Sequence, residues 1–244
     1  LNVPISYETT PPEYSAVQDA IANYGSKAEI VLPVVFDTFF KRVKKEWNGI
    51  ECYSEMIKEN YSNKFQPEWP GFYLEFQFDK YIQDADVRQF VDYAQDKTNN
   101  GIDLDLFFPP LNAFGDLKAH SSHSRAIQGN DKGTIKLLLS SSLYSNHIYY
   151  IVCEHDTYKD KDDGYKVTMF WNIQQGKDKI GKLYSYGEKM KGRVVLTKYY
   201  ILDINNSNYK YLQTFKQGVN SNGKLREPNI MIDIDDIGHF LISE

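Results

Sequence analysis

The stretch Gly101-Ile-Asp-Leu-Asp-Leu-Phe-Phe-Pro-Pro-Leu-Asn-Ala-Phe-Gly-Asp-Leu-Lys-Ala-His120 decides how the rest of the chain is interpreted. It predicts two strands joined by a turn rich in Pro and Asn. Because side chains alternate along a strand with a period of two, Asp103 and Asp105 share one face of the first strand. Asp116 and Lys118 share one face of the second strand for the same reason.

The register of this hairpin determines which of the charged side chains meet. If the turn covers Pro109–Phe114 and Phe108 pairs with Gly115, then Asp105 lies opposite Lys118 and diagonal to the aspartate of the second strand. Two carboxylates and an ammonium then converge within a few ångströms. Neighbouring carboxylates repel each other unless a positive charge lies between them, and Mg²⁺ is the cation that favours carboxylate oxygens together with retained waters.

We therefore expect one or two Mg²⁺ ions at Asp105 and Asp116, with Asp103 as an alternate or additional ligand. A bound Mg²⁺ would activate water for attack on a phosphorus, and Lys118 would help to deprotonate that water or neutralise the developing charge. The alternative is a solvent-facing hairpin whose acidic residues and lysine form a weak cross-strand pair.

The motif resembles that of the PD-(D/E)xK phosphodiesterases, the superfamily that includes most type II restriction endonucleases. Its signature is an Asp on one strand and Asp/Glu-x-Lys on the next, and here the first Asp precedes Asp116 by 11 positions (Asp105) or 13 (Asp103). The first Asp follows Ile102 or Leu104 where the signature has Pro, so the principal ligand of the two stays open. The resemblance covers roughly residues 70 to 155 and implies a core of one helix, three strands, a second helix and a fourth strand.

The elements around the motif follow this order. A helical segment from Gly71 to about Ala94 precedes it, although Phe72–Phe78 also alternates like a strand. A helix at Thr134–Ser142 and an apolar strand at His147–Glu154 come after it. Family members often carry another acidic residue on the first core helix, and Glu75 is the matching candidate, with a surface glutamate as the alternative.

The sequence predicts one α/β domain over residues 1–244, and the resemblance implies that this is a nuclease domain with a mixed central sheet flanked by helices in a restriction-endonuclease-like core. We divide it into a helical N-terminal part (1–68), a catalytic core (69–175) and a β-rich extension (176–244) that contributes to the substrate cleft. Helices are expected within 12–62 and at Asp84–Tyr93. Strands are expected at Tyr165–Ile173, Val194–Ile204 and Ile230–Ile234.

Polar and basic residues beside the motif are candidates for contacts to nucleic acid, since these residue types bind phosphates and base edges. A basic island over residues 176–198 adds cations to an otherwise acidic protein, either as a solvated face or as a phosphate-binding surface. The segment Glu154-His-Asp156 is a competing acidic site without a lysine partner. The candidates for nucleic-acid binding are His120, Ser121, Ser122, His123, Arg125, Gln128, Lys189, Lys191 and Arg193.

Composition narrows the class of protein. An apolar content of 41% and a charged content of 25% are typical of globular chains, and the net charge of −5 argues against a non-specific nucleic-acid coater. No apolar run approaches the length of a membrane span, no signal-peptide pattern begins the sequence, and no phosphate-binding glycine motif indicates a nucleotide cofactor. Cys52 and Cys153 lack metal-type spacing, so a reducing cytoplasm is expected.

Together these features predict a Mg²⁺-dependent endonuclease that acts on double-stranded DNA as a type II restriction enzyme. Homodimerisation is expected from the resemblance, because a compact chain that cuts both strands needs two copies. The first alternative is a nuclease toxin domain acting on tRNA or DNA. The second is a non-catalytic binding domain.

Overall fold

The computed structural model describes residues 12–83, 85–93, 104–177, 188–218, 223 and 225–242. Asp103 and residues 178–187 of the basic island lie outside these ranges. Within the described ranges, no helix combines the length and apolarity needed to cross a bilayer.

The N-terminal part is helical, as the sequence predicted, with one short strand among the helices. The helix α2 runs through Pro33 and buries Val31, Val35 and Phe39. The strand β1 was not predicted, because its three residues carry no periodic signal and form a strand only by pairing with a distant segment. The elements are α1 (Pro12–Tyr24), α2 (Ala28–Arg42), β1 (Glu46–Asn48) and α3 (Gly49–Lys58).

The region around the motif contains two helices, four strands, a third helix and a long strand. The alternation over residues 72–78 is helical, since all of it lies within α4, where Tyr73, Leu74, Phe76 and Phe78 are buried. The elements are α4 (Trp69–Ile82), α5 (Ala85–Arg88), β2 (Asp92–Tyr93), β3 (Leu106–Phe108), β4 (Ala113–Ser121), β5 (Ala126–Asp131), α6 (Lys132–Leu139) and β6 (His147–Lys159).

The C-terminal part contains α7 (Lys166–Gln174), β7 (Lys191–Asn205), β8 (Gln213–Phe215) and β9 (Asn229–Asp233). The prediction of a strand at 165–173 is wrong, because α7 occupies that segment. Its N-terminus is capped from outside by the buried carboxylate of Asp160, which accepts hydrogen bonds from the backbone N–H of Val167 (2.9 Å) and of Thr168 (2.7 Å). This cap satisfies helix-end donors and outweighs the strand preference of the aromatic and β-branched residues.

The prediction of a helix over residues 84–93 is only partly correct. One helical turn, α5, forms within it, and the chain then enters β2, which pairs with β3 at the edge of the sheet. Phe90 and Val91 are buried at this junction. Pairing with β3 supplies hydrogen bonds that a longer helix would have made internally.

Six strands form one mixed sheet in the order β1-β7-β6-β4-β3-β2, flanked by helices. Strands β2, β3 and β4 form an antiparallel meander, and β6 runs parallel to β4 after the crossover through β5 and α6. The predicted α/β class with a mixed central sheet is confirmed. The C-terminal strands divide between two sheets: β7 joins the large one, while β8 and β9 pair with β5 in a second sheet of three strands.

The two faces of the large sheet are covered by different cores. Leu117 of β4 and Ile151 of β6 pack in the core beneath α2, α3 and α4. On the opposite face, Phe114 and Tyr150 pack in the core that contains α6 and the second sheet. Asp116 shares the face of Phe114 by the strand period, so it points toward the second core.

The hairpin register differs from the expected one by two residues. Leu106 pairs with Gly115 and Phe108 with Ala113, because the turn ends at Asn112 and not at Phe114. Asn112 adopts a left-handed backbone (φ 47°), a conformation that asparagine tolerates, and this allows the tighter turn. Since the shift is even, every side chain keeps its predicted face.

Candidate functional site

Asp116 and Lys118 form the centre of the candidate site on β4. The carboxylate of Asp116 is nearly inaccessible, and its Oδ2 lies 3.0 Å from Nζ of Lys118. Burial raises the pKa of Asp116 and Asp105 raises it further, while the charge and hydrogen bond of Lys118 lower it. The strand period brings these two side chains together, as the sequence predicted.

Asn130 and Tyr150 hold the Asp116 carboxylate in place, and sequence reasoning missed both. The side-chain amide of Asn130 donates to Oδ2 of Asp116 over 2.6 Å. The hydroxyl of Tyr150 donates to Oδ1 of Asn130 (2.8 Å) and accepts from its backbone N–H (2.9 Å). A tyrosine in the middle of an apolar buried strand was the available signal, because its hydroxyl needs a partner.

Glu75 of α4 reaches the same site. The structure places it on a helix, partly buried, with its Oε2 accepting a hydrogen bond from Tyr61 over 3.4 Å. Burial raises the pKa of Glu75 to about 7, with contributions from the negative charges of Asp105 and Asp116, and Lys118 opposes this shift. The carboxylates therefore come from three separate segments and lie close enough for their charges to interact.

Asp105 lies directly before β3 and is partly buried. If the observed register is continued by one residue, Asp105 lies opposite Asp116. The sequence had predicted Lys118 as the residue opposite Asp105. Asp116 and Lys118 are adjacent, as expected, and Asp105 lies close enough to Asp116 for its charge to raise the pKa of that carboxyl, although the partner of Asp105 across the strands differs from the predicted one. Asp103 lies outside the described residues.

The carboxylates have the right chemistry for a hard cation, but they do not form a closed cage. Among the described residues, no three His, Cys, Asp or Glu side chains are grouped tightly enough to constitute a metal site by themselves. Mg²⁺ commonly binds through one or two carboxylates and keeps its remaining waters, so an open arrangement suits it. The repulsion that raises the pKa of Glu75 is the kind that a bound cation relieves.

A groove of 290 Å³ opens beside Lys118, where β4 ends. Four of the predicted nucleic-acid-binding residues line it: His120, Ser121, Gln128 and Lys191. Burial lowers the pKa of both His120 and Lys191. The ends of parallel strands are common ligand sites in α/β proteins, and the groove lies at the carboxyl end of β4.

The other predicted nucleic-acid-binding residues lie outside the residues that line the groove. His123 and Lys189 are exposed. Ser122 donates to Oδ1 of Asp156 over 2.6 Å, and Arg125 forms an exposed ion pair of 3.1 Å with Asp235. These four remain candidates by position alone.

Arg193 is already engaged at the edge of the sheet. Its guanidinium lies 2.8 Å from Glu46 and 3.8 Å from the centroid of the Tyr158 ring. These contacts join β1, β6 and β7 and account for the residue structurally. The competing acidic segment is also partnered, since Glu154 lies 3.5 Å from Lys198.

A larger cleft of 720 Å³ lies at the opposite end of β6. Its lining includes His147 and Asp203, whose Nδ1 and Oδ2 are 2.9 Å apart. Despite its size, this cleft contains none of the converging carboxylates. We place the candidate site at Asp116 on the basis of its charges and burial.

Comparisons with protein-family models, with curated proteins and with solved structures gave no match to this chain.

Proposed function

We propose that this protein is a Mg²⁺-dependent nuclease of the PD-(D/E)xK type that hydrolyses phosphodiester bonds. The observation that carries the proposal is the convergence of Glu75, Asp105, Asp116 and Lys118 from a helix and two strands. Three acidic side chains beside one lysine are unfavourable for stability, since burial and mutual repulsion raise the pKa values of Glu75 and Asp116. Perturbed groups of this kind cluster at catalytic sites.

The order of elements supports the same assignment. The core of a restriction-endonuclease-like protein runs helix, three strands, helix, strand, and α4, the β2-β3-β4 meander, α6 and β6 follow that order. β5 inserts between the meander and α6 and belongs to the second sheet. The side chains that the resemblance would assign to such a site are Glu75 on α4 and Asp116 and Lys118 on β4.

The residues that would hold Mg²⁺ are Asp105 and Asp116, with Glu75 as a further ligand or a hydrogen-bond acceptor for a bound water. When bound, Mg²⁺ lowers the pKa of a coordinated water and stabilises negative charge at the phosphorus. Asn130 fixes the orientation of the Asp116 carboxylate. Lys118 lies beside it with a fifth of its side chain accessible, so its ammonium can neutralise a phosphate oxygen, and in the neutral amine form its Nζ can receive a proton from water.

Duplex DNA is the favoured substrate, and a site-specific endonuclease acting as a homodimer is the favoured role, both by resemblance. Plasmid DNA incubated with Mg²⁺, and in parallel with EDTA, tests the activity directly. Discrete fragments that require Mg²⁺ support a restriction enzyme, and a smear supports a non-specific nuclease. Intact plasmid together with cleaved tRNA favours the toxin role. Intact plasmid, single-stranded DNA and tRNA would contradict the proposal and favour a binding domain.

Matched variants connect the activity to the site. Lys118→Met keeps the aliphatic stem but removes the ammonium, and we expect at least a hundredfold loss of cleavage with a much smaller loss of nucleic-acid binding. Lys166→Met is the control, since Lys166 pairs with Asp163 on an exposed surface away from the site. Full activity of Lys118→Met would contradict the assignment even if the wild-type protein cleaves DNA.

A further inference from the structure

The groove beside Lys118 has the charge of an anion site. Among the described residues that line it are two lysines, Lys118 and Lys191, and no carboxylate. Lys118 is paired with Asp116 over 3.0 Å, whereas Glu154 lies 3.5 Å from Lys198 and Asp156 accepts a hydrogen bond from Ser122. Within the part of the chain that the structure describes, the positive charge of the groove that has no partner therefore belongs to Lys191.

Lys191 is the least satisfied of these cations. Its position is fixed, because its backbone carbonyl accepts a hydrogen bond from Nε1 of Trp69 over 2.8 Å. Its side chain is partly buried, and its ammonium forms no ion pair within 4 Å with any residue that the structure describes. Burial lowers the pKa of Lys191, and Glu68 offsets this only in part. A desolvated ammonium without a partner is stabilised by an incoming anion.

Hydrogen-bonding groups surround this cation. Ser121, Ser124 and Gln128 line the groove and offer hydroxyl and amide donors. Oγ of Ser121 contacts Oγ1 of Thr157 (3.1 Å), which in turn contacts Nδ1 of the buried His155 (3.1 Å). Hydroxyl, amide and ammonium groups in one concave surface suit the oxygens of a phosphate.

We propose that this groove binds a second phosphate of the nucleic acid, adjacent to the phosphate that is hydrolysed at Asp116. Lys118 belongs to both places, since it contacts Asp116 and lines the groove. The groove measures 290 Å³, just below the usual range of ligand pockets of about 300–1,000 Å³, and has room for a phosphodiester group. The inference rests on the proposed nuclease function and deepens it: the substrate is a polynucleotide held by consecutive phosphates, not an isolated phosphodiester.

Binding of inorganic phosphate to the metal-free protein tests the groove independently of catalysis. We expect the backbone amide NMR signals of Ser121, Gln128 and Lys191 to shift on titration with phosphate. Lys191→Met should weaken this binding about tenfold or more, since one charge-assisted contact contributes ~1.5 kcal/mol or more. Lys191→Arg should retain binding, which shows that the loss in Lys191→Met is due to charge and not to misfolding. Lys210→Met, at an exposed turn after β7, is the control and should bind like the wild type.

Two substrates separate this inference from the proposed function. With bis(p-nitrophenyl) phosphate, which has a single phosphodiester, the activity of Lys191→Met should fall far less than it does with a polynucleotide. With a polynucleotide, its kcat/KM should fall about tenfold. If phosphate binding depends on Lys191 but the protein has no nuclease activity, the phosphate site in the groove is supported and the proposed nuclease function is contradicted. Absence of phosphate binding, or equal binding by the wild type and Lys191→Met, would contradict the phosphate site proposed in the groove, even if the protein cleaves DNA.

Discussion

Oδ2 of Asp116 and Nζ of Lys118 are 3.0 Å apart on the same face of β4, although the carboxylate is almost fully buried and the lysine is a fifth exposed. The pair is therefore unequal: the lysine can reach solvent, but the aspartate depends on its neighbours for stabilisation of its charge. Removal of the lysine and removal of the aspartate should therefore change the unfolding free energy by different amounts.

The first prediction is that Lys118→Met destabilises the protein more than Asp116→Asn at neutral pH. Loss of the lysine leaves a buried carboxylate with one less positive neighbour, at a cost on the order of 2 kcal/mol in unfolding free energy. The double variant should be less destabilised than the sum of the single ones, because each partner's cost depends on the other. Urea unfolding of all four proteins at pH 7 measures the coupling, and strict additivity would show that the pair does not interact.

The second prediction concerns the pH dependence of stability. The pKa of Glu75 rises from 4.5 in the unfolded chain to about 7 in the folded protein. Between these values the folded state holds a proton that the unfolded state has lost, so the stabilisation is complete below about pH 4.5 and disappears as the pH rises through 7. The ionised glutamate then costs about 3 kcal/mol.

Glu75→Gln should therefore be more stable than the wild type at pH 8 and similar to it at pH 5. Urea unfolding in EDTA at the two pH values measures the difference. Glu227→Gln, at an exposed position, is the control and should follow the wild type. If Glu75→Gln is no more stable than the wild type at pH 8, then burial and charge repulsion do not destabilise the ionised Glu75 carboxylate.

The third prediction is stabilisation by Mg²⁺ in the absence of substrate. A tenfold excess of Mg²⁺ over its Kd should raise the Tm by about 3–5 °C, because the cation binds the folded carboxylates in preference to the unfolded chain. Asp116→Asn should abolish the shift, whereas Glu154→Gln, in the competing acidic segment, should retain it. A shift that survives in Asp116→Asn would place the cation elsewhere.

The fourth prediction tests the hairpin that positions the motif. A Cβ added at Gly115 would lie 2.5 Å from the ring of Phe108 and 2.5 Å from the backbone oxygen of Tyr149, so Gly115→Ala must displace the strand or the ring. We expect a loss of roughly 1–3 kcal/mol in unfolding free energy together with reduced activity. Gly71→Ala is the control, since open space surrounds Gly71 in α4, and it should be neutral or slightly stabilising. Thermal unfolding compares the two, and equal stability would contradict the close strand approach.

Some of this architecture could be predicted because its signals are local. Because side chains alternate along a strand, Asp116 and Lys118 share a face in any register. The prediction of this pair was therefore correct although the predicted hairpin register was wrong by two residues. The apolar run that begins at His147 and the pattern of Val194–Ile204 identified the two longest strands, β6 and β7. Neither needs knowledge of its neighbours.

Other features depend on side-chain contacts that the periodicity of a segment does not reveal. α7 forms because the carboxylate of Asp160 caps it from the preceding turn, so its residues alone predicted a strand. Asn130 could not be predicted as a site residue for a similar reason. Its role comes from two hydrogen bonds, to Asp116 and to Tyr150, and not from a sequence motif.

By itself, the sequence determined that this chain has an α/β fold and that Asp116 and Lys118 lie side by side, since both follow from periodicity and short spacing. Only the tertiary structure decided that Glu75 of α4 lies close to these two residues and that Lys191, distant in sequence, lines the groove beside Lys118. The physical reason is that strand geometry acts over two residues, whereas burial and charge repulsion act between whichever segments the fold brings together.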